Sequence, residues 1–280
     1  MLQRASGLTS SQLQAIRELE RVALEADGGR LKLEWGMLET RPTDEVQDFL
    51  WWDGPVLTGF LGLYSNGSSA ELTGMVAPAA RRRGVASSLL AAGMEACAER
   101  RFTEVLLVVP RNSLAGAALA RARDGRLDHS EHALTLHGEP APGPTDPAIT
   151  LRRAGPGDAE LVSRLIESGF GHPAGELALD PGSESEYTLL IDLAGVPVGT
   201  LRLTRHDDYG GVYGFVVDPA QQGRGIGRDV LRRACNELRA SGARKVGLEV
   251  EVDNDRALGL YTSLGFVNVA TEDYYSLPRP

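Results

Sequence analysis

The feature that most limits the possible folds is a glycine-rich turn that occurs twice in the chain. Residues 218–227 read DPAQQGRGIG and residues 77–86 read APAARRRGVA. The two copies match at one constant offset of 141 residues, which relates Pro78, Arg81, Gly84 and Ala86 to Pro219, Gln222, Gly225 and Gly227. A constant offset between similar segments indicates an internal duplication. The sequence therefore predicts two related domains.

Length and a proline-rich run suggest where these domains meet. A chain of 280 residues is longer than one hydrophobic core usually supports, and its 42% apolar content is enough for two cores. The run GEPAPGPTDP at 138–147 contains four prolines, which a helix or a central strand cannot accommodate. We therefore expect an N-terminal domain at 1–138, a proline-rich linker at 139–147 and a C-terminal domain at 148–280.

Charge and cysteine content exclude several classes of protein. A net charge of −9 argues against nucleic-acid binding, which requires a surplus of Lys and Arg. The two cysteines, Cys97 and Cys235, fall in helix-like patterns, and we interpret them as small buried apolar residues. Neither a signal peptide nor a membrane-spanning segment is evident, so we expect a cytoplasmic protein without a membrane partner.

Periodicity predicts the same order of elements in both halves. The second half shows a strand, a helix with Asp158 as N-cap, a hairpin turning at Ala194 and Gly195, a strand, a long helix, a strand, a short helix and final strand-like segments. The first half repeats the hairpin, strand, long helix and strand, but no clear first strand precedes its helix at 10–26. This order predicts the α/β (α+β) class, with a mixed, mostly antiparallel central sheet flanked by helices in each domain.

The duplicated turn has the features of an anion site. The N–H groups at the start of a helix lack partners within the helix, and they lie at the positive end of its dipole. Gly225 and Gly227 allow a phosphate to approach the backbone, while Arg224 and Arg228 add positive charge. A plain glycine-rich connection is the alternative, and the second copy argues against it. The dinucleotide motif GxGxxG and the Walker motif do not match.

These residues carry a resemblance to a known family. A strand, a proline and then Gln/Arg-x-x-Gly-x-Gly/Ala at a helix start resembles the acetyl-CoA pyrophosphate loop of the GNAT acetyltransferase superfamily. In the second half the resemblance extends to the family's Asn-x-x-Ala and Tyr-x-x-x-Gly-Phe pattern, formed here by Asn254, Ala257, Tyr261, Gly265 and Phe266. As a chain of two GNAT-like domains, the sequence resembles the tandem acetyltransferases that include mycothiol synthase.

The resemblance implies a cofactor, acetyl-CoA, and a set of site residues. Tyr261 is the implied catalytic residue, as hydrogen-bond donor or general acid to the departing thiolate, with core packing as the alternative. Asn254 is implied to bind the cofactor, with a role as helix N-cap equally open. The implied cofactor-binding residues of the second half are Phe215, Val216, Val217, Gln222, Gly223, Arg224, Gly225, Ile226, Gly227, Arg228 and Asn254. Those of the first half are Gly74, Met75, Val76, Arg81, Arg82, Arg83, Gly84, Val85 and Ala86, where an exposed basic turn is the alternative for the arginines.

The implied activity is direct transfer of an acetyl (acyl) group from acetyl-CoA to a primary amine of a small molecule, by the C-terminal domain. The N-terminal domain is interpreted as degenerate, because counting seven residues from Asn112 reaches Leu119 and ARARDGRL replaces the Tyr-x-x-x-Gly-Phe ending. A non-catalytic coenzyme A-binding protein or a scaffold with a duplicated fold is the alternative. The protein is expected to be a monomer or a homodimer.

Other residues leave their roles open. The general base is not assigned, and each candidate has a solvated surface role as its alternative; the candidates are Glu249, Glu251, His206, Asp207 and Asp208. The histidines at 129, 132, 137 and 172 do not form a metal-ligand pattern, so no metal is expected. Trp51 and Trp52 alternate on a strand and cannot both face one core, so one is a candidate for the domain interface or acceptor site, with partial exposure as the alternative.

Overall fold

The described residues of the chain fold as two compact units. The computed structural model describes residues 1–171, 177 and 179–279. Unit 1 comprises Met1–Glu131 and Ala270–Pro280, and unit 2 comprises His132–Val269. The proline-rich run at 139–147 therefore groups with unit 2, and the C-terminal residues group with unit 1. The domain boundaries deduced from the sequence stay a prediction.

The secondary structure follows the order expected for a mixed α/β fold. The elements are β1 (Leu2–Ala5), α1 (Ser10–Asp27), α2 (Trp35–Glu39), β2 (Asp48–Asp53), β3 (Val56–Asn66), β4 (Ser69–Val76), α3 (Val85–Glu99), β5 (Glu104–Pro110), α4 (Leu114–Arg121), β6 (Arg126–Leu136), β7 (Ile149–Arg153), α5 (Ala159–Phe170), β8 (Glu186–Leu193), β9 (Val196–His206), β10 (Tyr209–Val217), α6 (Ile226–Ala240), β11 (Lys245–Glu251), α7 (Asp255–Ser263) and β12 (Val267–Ser276). A short 3₁₀ turn precedes each long helix, at Pro78–Ala80 before α3 and at Pro219–Gln221 before α6.

Unit 1 is a mixed sheet in the order β1-β2-β3-β4-β5-β12-β6, where β6 and β12 contribute the residues that belong to this unit. Among the pairs formed by its first five strands, β4 and β5 are parallel and the other three pairs are antiparallel. Strand β1 corrects the expectation that no first strand precedes the helix at 10–26. Its four residues, LQRA, are too short and too polar to show an alternation, and they pair with Asp48–Trp51 of β2.

Unit 2 repeats this arrangement in the order β6-β11-β10-β9-β8-β7. Here β10 and β11 are parallel, whereas β7, β8, β9 and β10 pair antiparallel in sequence. The hairpin between β8 and β9 turns at Ala194 and Gly195, which both have left-handed backbone conformations. The predicted turn position is thus confirmed.

Helix α6 packs on the sheet of unit 2 through the face that the sequence pattern predicts. Its inward residues are fully or almost fully buried in the main core of the unit, and they are Ile226, Val230, Leu231, Ala234, Cys235 and Leu238. On β11 the alternate residues Val246, Leu248 and Val250 belong to the same core. The intervening residues, among them Gly247 and Glu249, therefore lie on the sheet face away from α6.

The structure also bears on the predictions for the two cysteines, the two tryptophans and membrane-spanning segments. Cys97 and Cys235 are both buried free thiols, and burial raises the pKa of Cys97 to about 11 and that of Cys235 to about 12.

Trp51 packs against the core that includes α3, whereas Trp52 packs against the core that includes α1. Each tryptophan is partly buried on one face of the same sheet. No helix among the described residues combines the length and apolar character that a bilayer crossing requires.

Candidate functional site

The site begins where two parallel strands of unit 2 separate. Strand β10 pairs with β11 only from Tyr209 to Gly211, opposite Lys245 to Gly247. Beyond this ladder β10 continues to Val217 and β11 to Glu251. Unit 1 shows the same feature, because its β4–β5 ladder ends at Leu72 and Leu107 although both strands continue. Each unit therefore has an opening between two diverging strands.

A β-bulge distinguishes the opening of unit 2 from that of unit 1. In the β10–β9 pair, Tyr213 lies opposite Arg202 and Val216 lies opposite Thr200, so that Gly214 and Phe215 share one residue of β9. Gly214 has φ +54°, a left-handed conformation that suits glycine at a bulge. In unit 1 the register from Gly59↔Val76 to Asn66↔Ser69 is unbroken. The extra residue explains why Ser69 and Tyr209 lie 140 residues apart, whereas Val76 and Val217 lie 141 apart.

The predicted site residues Phe215, Val216 and Val217 lie on this bulged stretch. Val217 belongs to the core under α6, while Val216 is buried against α5 on the other face. The Phe215 ring points toward the start of α6, since an added Cβ at Gly227 would lie 3.7 Å from it and 3.3 Å from Leu260 of α7. Gly227 thus allows the start of α6 to approach α7 closely.

The loop before α6 presents backbone N–H groups without protein acceptors. Gly223 and Gly225 have φ values of +78° and +84°, and Gly225 is the N-cap of α6. The described residues offer no acceptor to the consecutive N–H groups of Gly223, Arg224, Gly225, Ile226 and Gly227. A Cβ added at Gly225 would meet no atom within 4 Å, so a side chain at this position would extend into open space beside these groups. Alternating left-handed residues at a helix start form an anion-binding backbone.

Side chains around this loop are cationic, and Gln222 fixes its shape. Gln222 donates from its Nε2 atom to the Val217 carbonyl oxygen at 2.8 Å, which ties the loop to the end of β10. Arg224 donates to the side chain of Gln221, three residues earlier, and Arg228 donates to Ser263 of α7 at 3.1 Å. Arg256, which sequence reasoning missed, brings a guanidinium nitrogen to 3.8 Å from the Cβ position of Gly223. Its place three residues into the NDRA segment is the signal that could have identified it.

Tyr261 lies on α7 inside the core of unit 2. Its side chain is 8% exposed and packs near the Phe266 ring, with the ring centroids 6.2 Å apart. No described residue provides a hydrogen-bond partner for its hydroxyl group. Burial alone raises the pKa of this phenol to about 12, because the charged phenolate loses its hydration. Tyr261 is therefore a protonated donor at neutral pH.

Asn254 caps the helix that carries Tyr261. Its Oδ1 accepts a hydrogen bond from the Ala257 N–H at 3.1 Å, which is the N-cap arrangement. One of the two open interpretations of Asn254 is therefore observed. The cap uses only the side-chain oxygen, so the Nδ2 group is left to donate elsewhere, and its role toward a cofactor stays a prediction.

The corresponding loop of unit 1 has the same backbone with different side chains. Arg82 (φ +62°) and Gly84 (φ +83°) are left-handed at the positions equivalent to Gly223 and Gly225. Arg81 occupies the position of Gln222 and also donates to the strand end, from its Nε atom to the Val76 oxygen at 3.0 Å. Its other nitrogens bind both carboxylate oxygens of Asp27 at 2.7–2.8 Å. A phosphate contact of Arg81 stays a prediction, and this guanidinium already has three protein acceptors.

The other predicted residues of unit 1 occupy regular positions. Gly74, Met75 and Val76 pair with Leu61, Phe60 and Gly59 in the unbroken ladder. Arg82 and Arg83 are exposed, and Val85 and Ala86 form the buried or partly buried start of α3. Helix α4 is capped by Ser113, whose Oγ accepts from the Gly116 N–H at 3.2 Å. Ser113 rather than Asn112 is therefore equivalent to Asn254, and the residue equivalent to Tyr261 is Ala120, not Leu119.

The sheet face of unit 1 that points away from α3 is filled by the chain itself. Tyr274 is 1% exposed and packs on Leu106 and Val108 of β5. Lys32 donates to its hydroxyl at 2.5 Å and lies 3.3 Å from a carboxylate oxygen of Glu71. In unit 2 the residues equivalent to Leu106 and Val108 are Gly247 and Glu249. The side chains on this sheet face therefore differ between the two units, and in unit 2 the Tyr209 hydroxyl lies 1.7 Å from the Cβ position of Gly247.

Comparison with known proteins gives this geometry a family. The model of the acetyltransferase (GNAT) family matches both halves of the chain, at residues 13–123 and 160–266. The chain belongs to the GNAT acetyltransferase family. The predicted resemblance and the predicted fold class are therefore confirmed.

Curated relatives of this GNAT chain include mycothiol acetyltransferases. The protein from Thermomonospora curvata is 30% identical over 294 residues, which cover 99% of this chain and 97% of that protein. The protein from Actinosynnema mirum is 32% identical over 243 residues, covering 79% and 80% of the two chains. The relationship with the first of these therefore extends over both GNAT units.

Solved structures support the fold of this GNAT chain. A GCN5-related N-acetyltransferase from Sphaerobacter thermophilus has a TM-score of 0.79 at 19% identity, covering 100% of this chain and 96% of that one. A tandem GNAT protein from the clavulanic acid biosynthesis pathway has a TM-score of 0.66 at 19% identity, covering 100% and 99%. At this identity the similarity concerns the fold alone.

The candidate bases of unit 2 lie in different surroundings. Asp208 forms an ion pair with Arg244 at 2.9 Å, and His206 lies 3.7 Å from Asp207. Glu251 is exposed at the end of β11, whereas Glu249 is partly buried on the diverging part of that strand. The described residues contain no group of three or more His, Cys, Asp or Glu placed to hold a metal ion. His172 lies outside the described residues, and the absence of a metal stays a prediction.

Proposed function

We propose that unit 2 of this GNAT protein transfers the acetyl group of acetyl-CoA to a primary amine, and that unit 1 does not catalyse this reaction. The observation that carries the proposal is the combination in unit 2 of an open loop of acceptor-free N–H groups with the buried phenol of Tyr261. Unit 1 has the loop but has Ala120 in place of the phenol. It also lacks the bulge in the strand beside the opening.

The loop before α6 fits the pyrophosphate of coenzyme A. A pyrophosphate needs several donors and a positive potential, which the five N–H groups and the helix start provide. Arg224, Arg228 and Arg256 add long-range attraction in a chain whose net charge is −9. The backbone of Phe215 to Val217, along the opening, would bind the pantetheine arm.

Acetyl-CoA supplies an acetyl thioester, which is reactive toward an uncharged amine. The residues of unit 2 would orient this group and manage protons. The bulge at Gly214 and Phe215 lies in the strand beside the opening, and a backbone N–H group of this stretch would stabilise negative charge on the thioester oxygen. Tyr261 would donate a hydrogen bond to the sulfur as it leaves. Its pKa of about 12 keeps the proton on the phenol until then.

Glu249 is the base that the geometry favours. It lies beyond the end of the β10–β11 ladder, on the sheet face away from α6, and it is partly buried. A carboxylate in this position can take the proton of an incoming ammonium group directly or through water. Glu249→Gln should lower kcat/KM strongly, whereas Glu251→Gln, two residues along the same strand, serves as the matched control with little effect. Equal activities of the two variants would exclude Glu249.

The acceptor is a small-molecule amine. The relatives' name makes the amine precursor of mycothiol the first acceptor to test, followed by other amino sugars and polyamines. A monomer or a homodimer stays the expected assembly.

Calorimetric titration with coenzyme A tests the proposal. The wild-type chain should bind at least one equivalent, and Gly225→Glu should abolish binding to unit 2, because a large negatively charged side chain beside the N–H groups would exclude and repel a phosphate. Gly84→Glu is the matched change in unit 1, and it would remove a second site if one exists. Absence of binding to the wild-type chain would refute the enzyme and favour a scaffold with a duplicated fold.

A further inference from the structure

The proline-rich run is bound to the same helix that begins at the candidate cofactor loop. We call residues 139–147 the proline strap. Arg232 of α6 donates from Nε to the Ala141 oxygen and from a terminal nitrogen to the Pro144 oxygen, both at 3.0 Å. Its side chain is only 9% exposed. One buried guanidinium therefore holds two carbonyl groups of the strap.

Further contacts extend along the strap. Asp229, in the first turn of α6, accepts a hydrogen bond from the Asp146 N–H at 3.1 Å and is 5% exposed. Arg239, near the end of α6, donates to Glu139 at 3.1 Å. Just past the strap, Arg233 donates to the Ile149 oxygen at 2.9 Å. Three charged side chains of one helix thus bind the segment that the sequence suggests is only a linker, and a fourth binds the strand that follows it.

The strap also reaches the helix that carries Tyr261. The Ala141 N–H donates to the Leu264 oxygen at 3.0 Å, and Leu264 is the C-cap of α7. The strap therefore connects α6, whose start forms the anion-binding loop, with the end of α7.

Unit 1 shows that the equivalent helix, α3, folds without these charged side chains. The residues of α3 that are equivalent to Asp229, Arg232, Arg233 and Arg239 are Ser88, Ala91, Ala92 and Ala98. None of the four can form an ion pair. An open groove of about 430 Å³ borders Leu90, Ala91 and Met94 on this helix. These charged side chains therefore occur in the unit that carries Tyr261 and not at the equivalent positions of α3.

We propose that the proline strap sets the position of α6 relative to α7, and that Arg232 and Asp229 are positioning residues which act through it. The strap places the N–H groups of residues 223–227 at the correct distance from Tyr261, and its release weakens coenzyme A binding and misplaces the thioester. This inference rests on the proposed function of unit 2.

The first test substitutes a glycine of the strap that lies against Arg232, and a second glycine outside the strap is the control. An added Cβ at Gly143 would lie 2.3 Å from an Arg232 nitrogen, whereas one at Gly138 would meet nothing within 4 Å. Gly143→Ala should therefore raise the Kd for coenzyme A about tenfold, because the misplaced guanidinium loses charge-assisted hydrogen bonds. Gly138→Ala should leave the Kd unchanged. Both are measured by calorimetric titration of the full chain.

The same contact is tested from the helix by Arg232→Lys, which keeps the charge but replaces the separate guanidinium nitrogens that bind Ala141 and Pro144 by a single ammonium nitrogen. Arg164→Lys is the control, since the ion-pair partner of Arg164 among the described residues is the exposed Glu160 on α5. Hydrogen exchange by mass spectrometry reports the Ala141 and Asp146 amides in each variant. We expect faster exchange in the strap together with a raised Kd in Gly143→Ala and Arg232→Lys.

The outcomes separate the two proposals. A released strap with an unchanged Kd would overturn the inference and leave the proposed function standing. A protected strap in a wild-type chain that does not bind coenzyme A would overturn both, because the strap would then position nothing. A raised Kd without faster exchange in the strap would also contradict the inference, since the effect would not pass through this segment.

Discussion

At the scale of single residues, the proposed chemistry depends on the surroundings of Tyr261. A free thiol has a pKa of about 8.5, and the phenol has a pKa of about 12, so full proton transfer to a thiolate is unfavourable by about 5 kcal/mol. Tyr261 therefore acts by hydrogen bonding to the developing negative charge, unless the buried thiolate is itself made more basic. The cause of the shift is burial, which the packing of α7 on the core imposes.

Tyr261→Phe removes the hydroxyl and keeps the ring that packs near Phe266. We expect kcat to fall about 100-fold while the Kd for coenzyme A stays near the wild-type value. Because the phenol keeps its proton well above pH 10, the pH profile of the wild-type enzyme from about pH 6 to about pH 10 should not reflect Tyr261. The variant should therefore be slower with an unchanged profile. Loss of a basic limb in Tyr261→Phe would contradict the high pKa.

Asn254 offers a way to separate helix capping from cofactor binding. Asn254→Ser keeps a capping oxygen, as Ser113 does in unit 1, and replaces the Nδ2 donor by a shorter hydroxyl group that does not reach as far. Asn254→Ala removes both and should lower the free energy of unfolding by about 1 kcal/mol. If Nδ2 binds the cofactor, Asn254→Ser should unfold like the wild type in urea yet bind coenzyme A more weakly. Wild-type affinity of Asn254→Ser would leave capping as the role of this residue.

Several of these residues could be found in the sequence, but their geometry could not. The motif located Tyr261, Asn254 and the two loops because a short local pattern specifies a turn and a helix start. It placed the residue equivalent to Tyr261 at Leu119, because an asparagine precedes the true cap, Ser113, by one residue. Arg256 was missed because its approach to Gly223 depends on how α7 packs beside the loop.

At the scale of elements, the bulge in β10 is the main difference between two otherwise matching openings. Helices α3 and α6 begin and end at residues 141 apart, and so do strands β5 and β11. One residue more in β10 than in β4 changes the backbone beside the opening. The sequence contains this residue, but a one-residue insertion in a glycine-rich strand has no periodic signal. The effect of this extra residue on the backbone depends on how β10 pairs with β9.

Helix α5 packs closely against the bulged strand, and Gly169 permits this contact. An added Cβ at Gly169 would lie 1.8 Å from a methyl carbon of Val216. Gly169→Ala should therefore destabilise the protein by about 2 kcal/mol, a typical cost of overpacking. Gly259→Ala is the control, because its Cβ would meet nothing within 4 Å and an alanine favours the helix by about 1 kcal/mol. Urea unfolding of both variants gives these values.

The double variant Gly169→Ala with Val216→Ala decides whether the Val216 contact causes the loss. Truncating Val216 makes room for the new methyl group, so the two changes together should cost less than the sum of their separate effects. Additive losses would show that the strain lies elsewhere on α5.

At the scale of the whole molecule, the two units are not two consecutive halves of the chain, because residues from Ala270 onward group with unit 1. The last strand, β12, pairs through Glu272–Ser276 with Leu106–Pro110 of β5 in unit 1. A sequence repeat cannot reveal this, because each half ends with a similar strand-like segment and the pattern does not state which sheet it joins. The number and type of the domains were predictable, whereas the assignment of their final strands was not.

This grouping predicts how unit 1 responds to loss of the C-terminal half. In the full chain Tyr274, Tyr275 and Leu277 are at most 6% exposed, and all three lie in cores of unit 1. Burial of three large side chains contributes about 7 kcal/mol, which is comparable to the total stability of a typical domain. An isolated fragment of residues 1–138 should therefore not fold cooperatively. The control is the full chain cut at the same boundary by a protease site inserted after Gly138, in which the C-terminal segment is still present to complete the sheet. Circular dichroism should show a cooperative thermal transition for the cut chain and not for the fragment. A cooperative transition in the fragment alone would show that unit 1 does not need β12 in order to fold, and it would contradict this prediction.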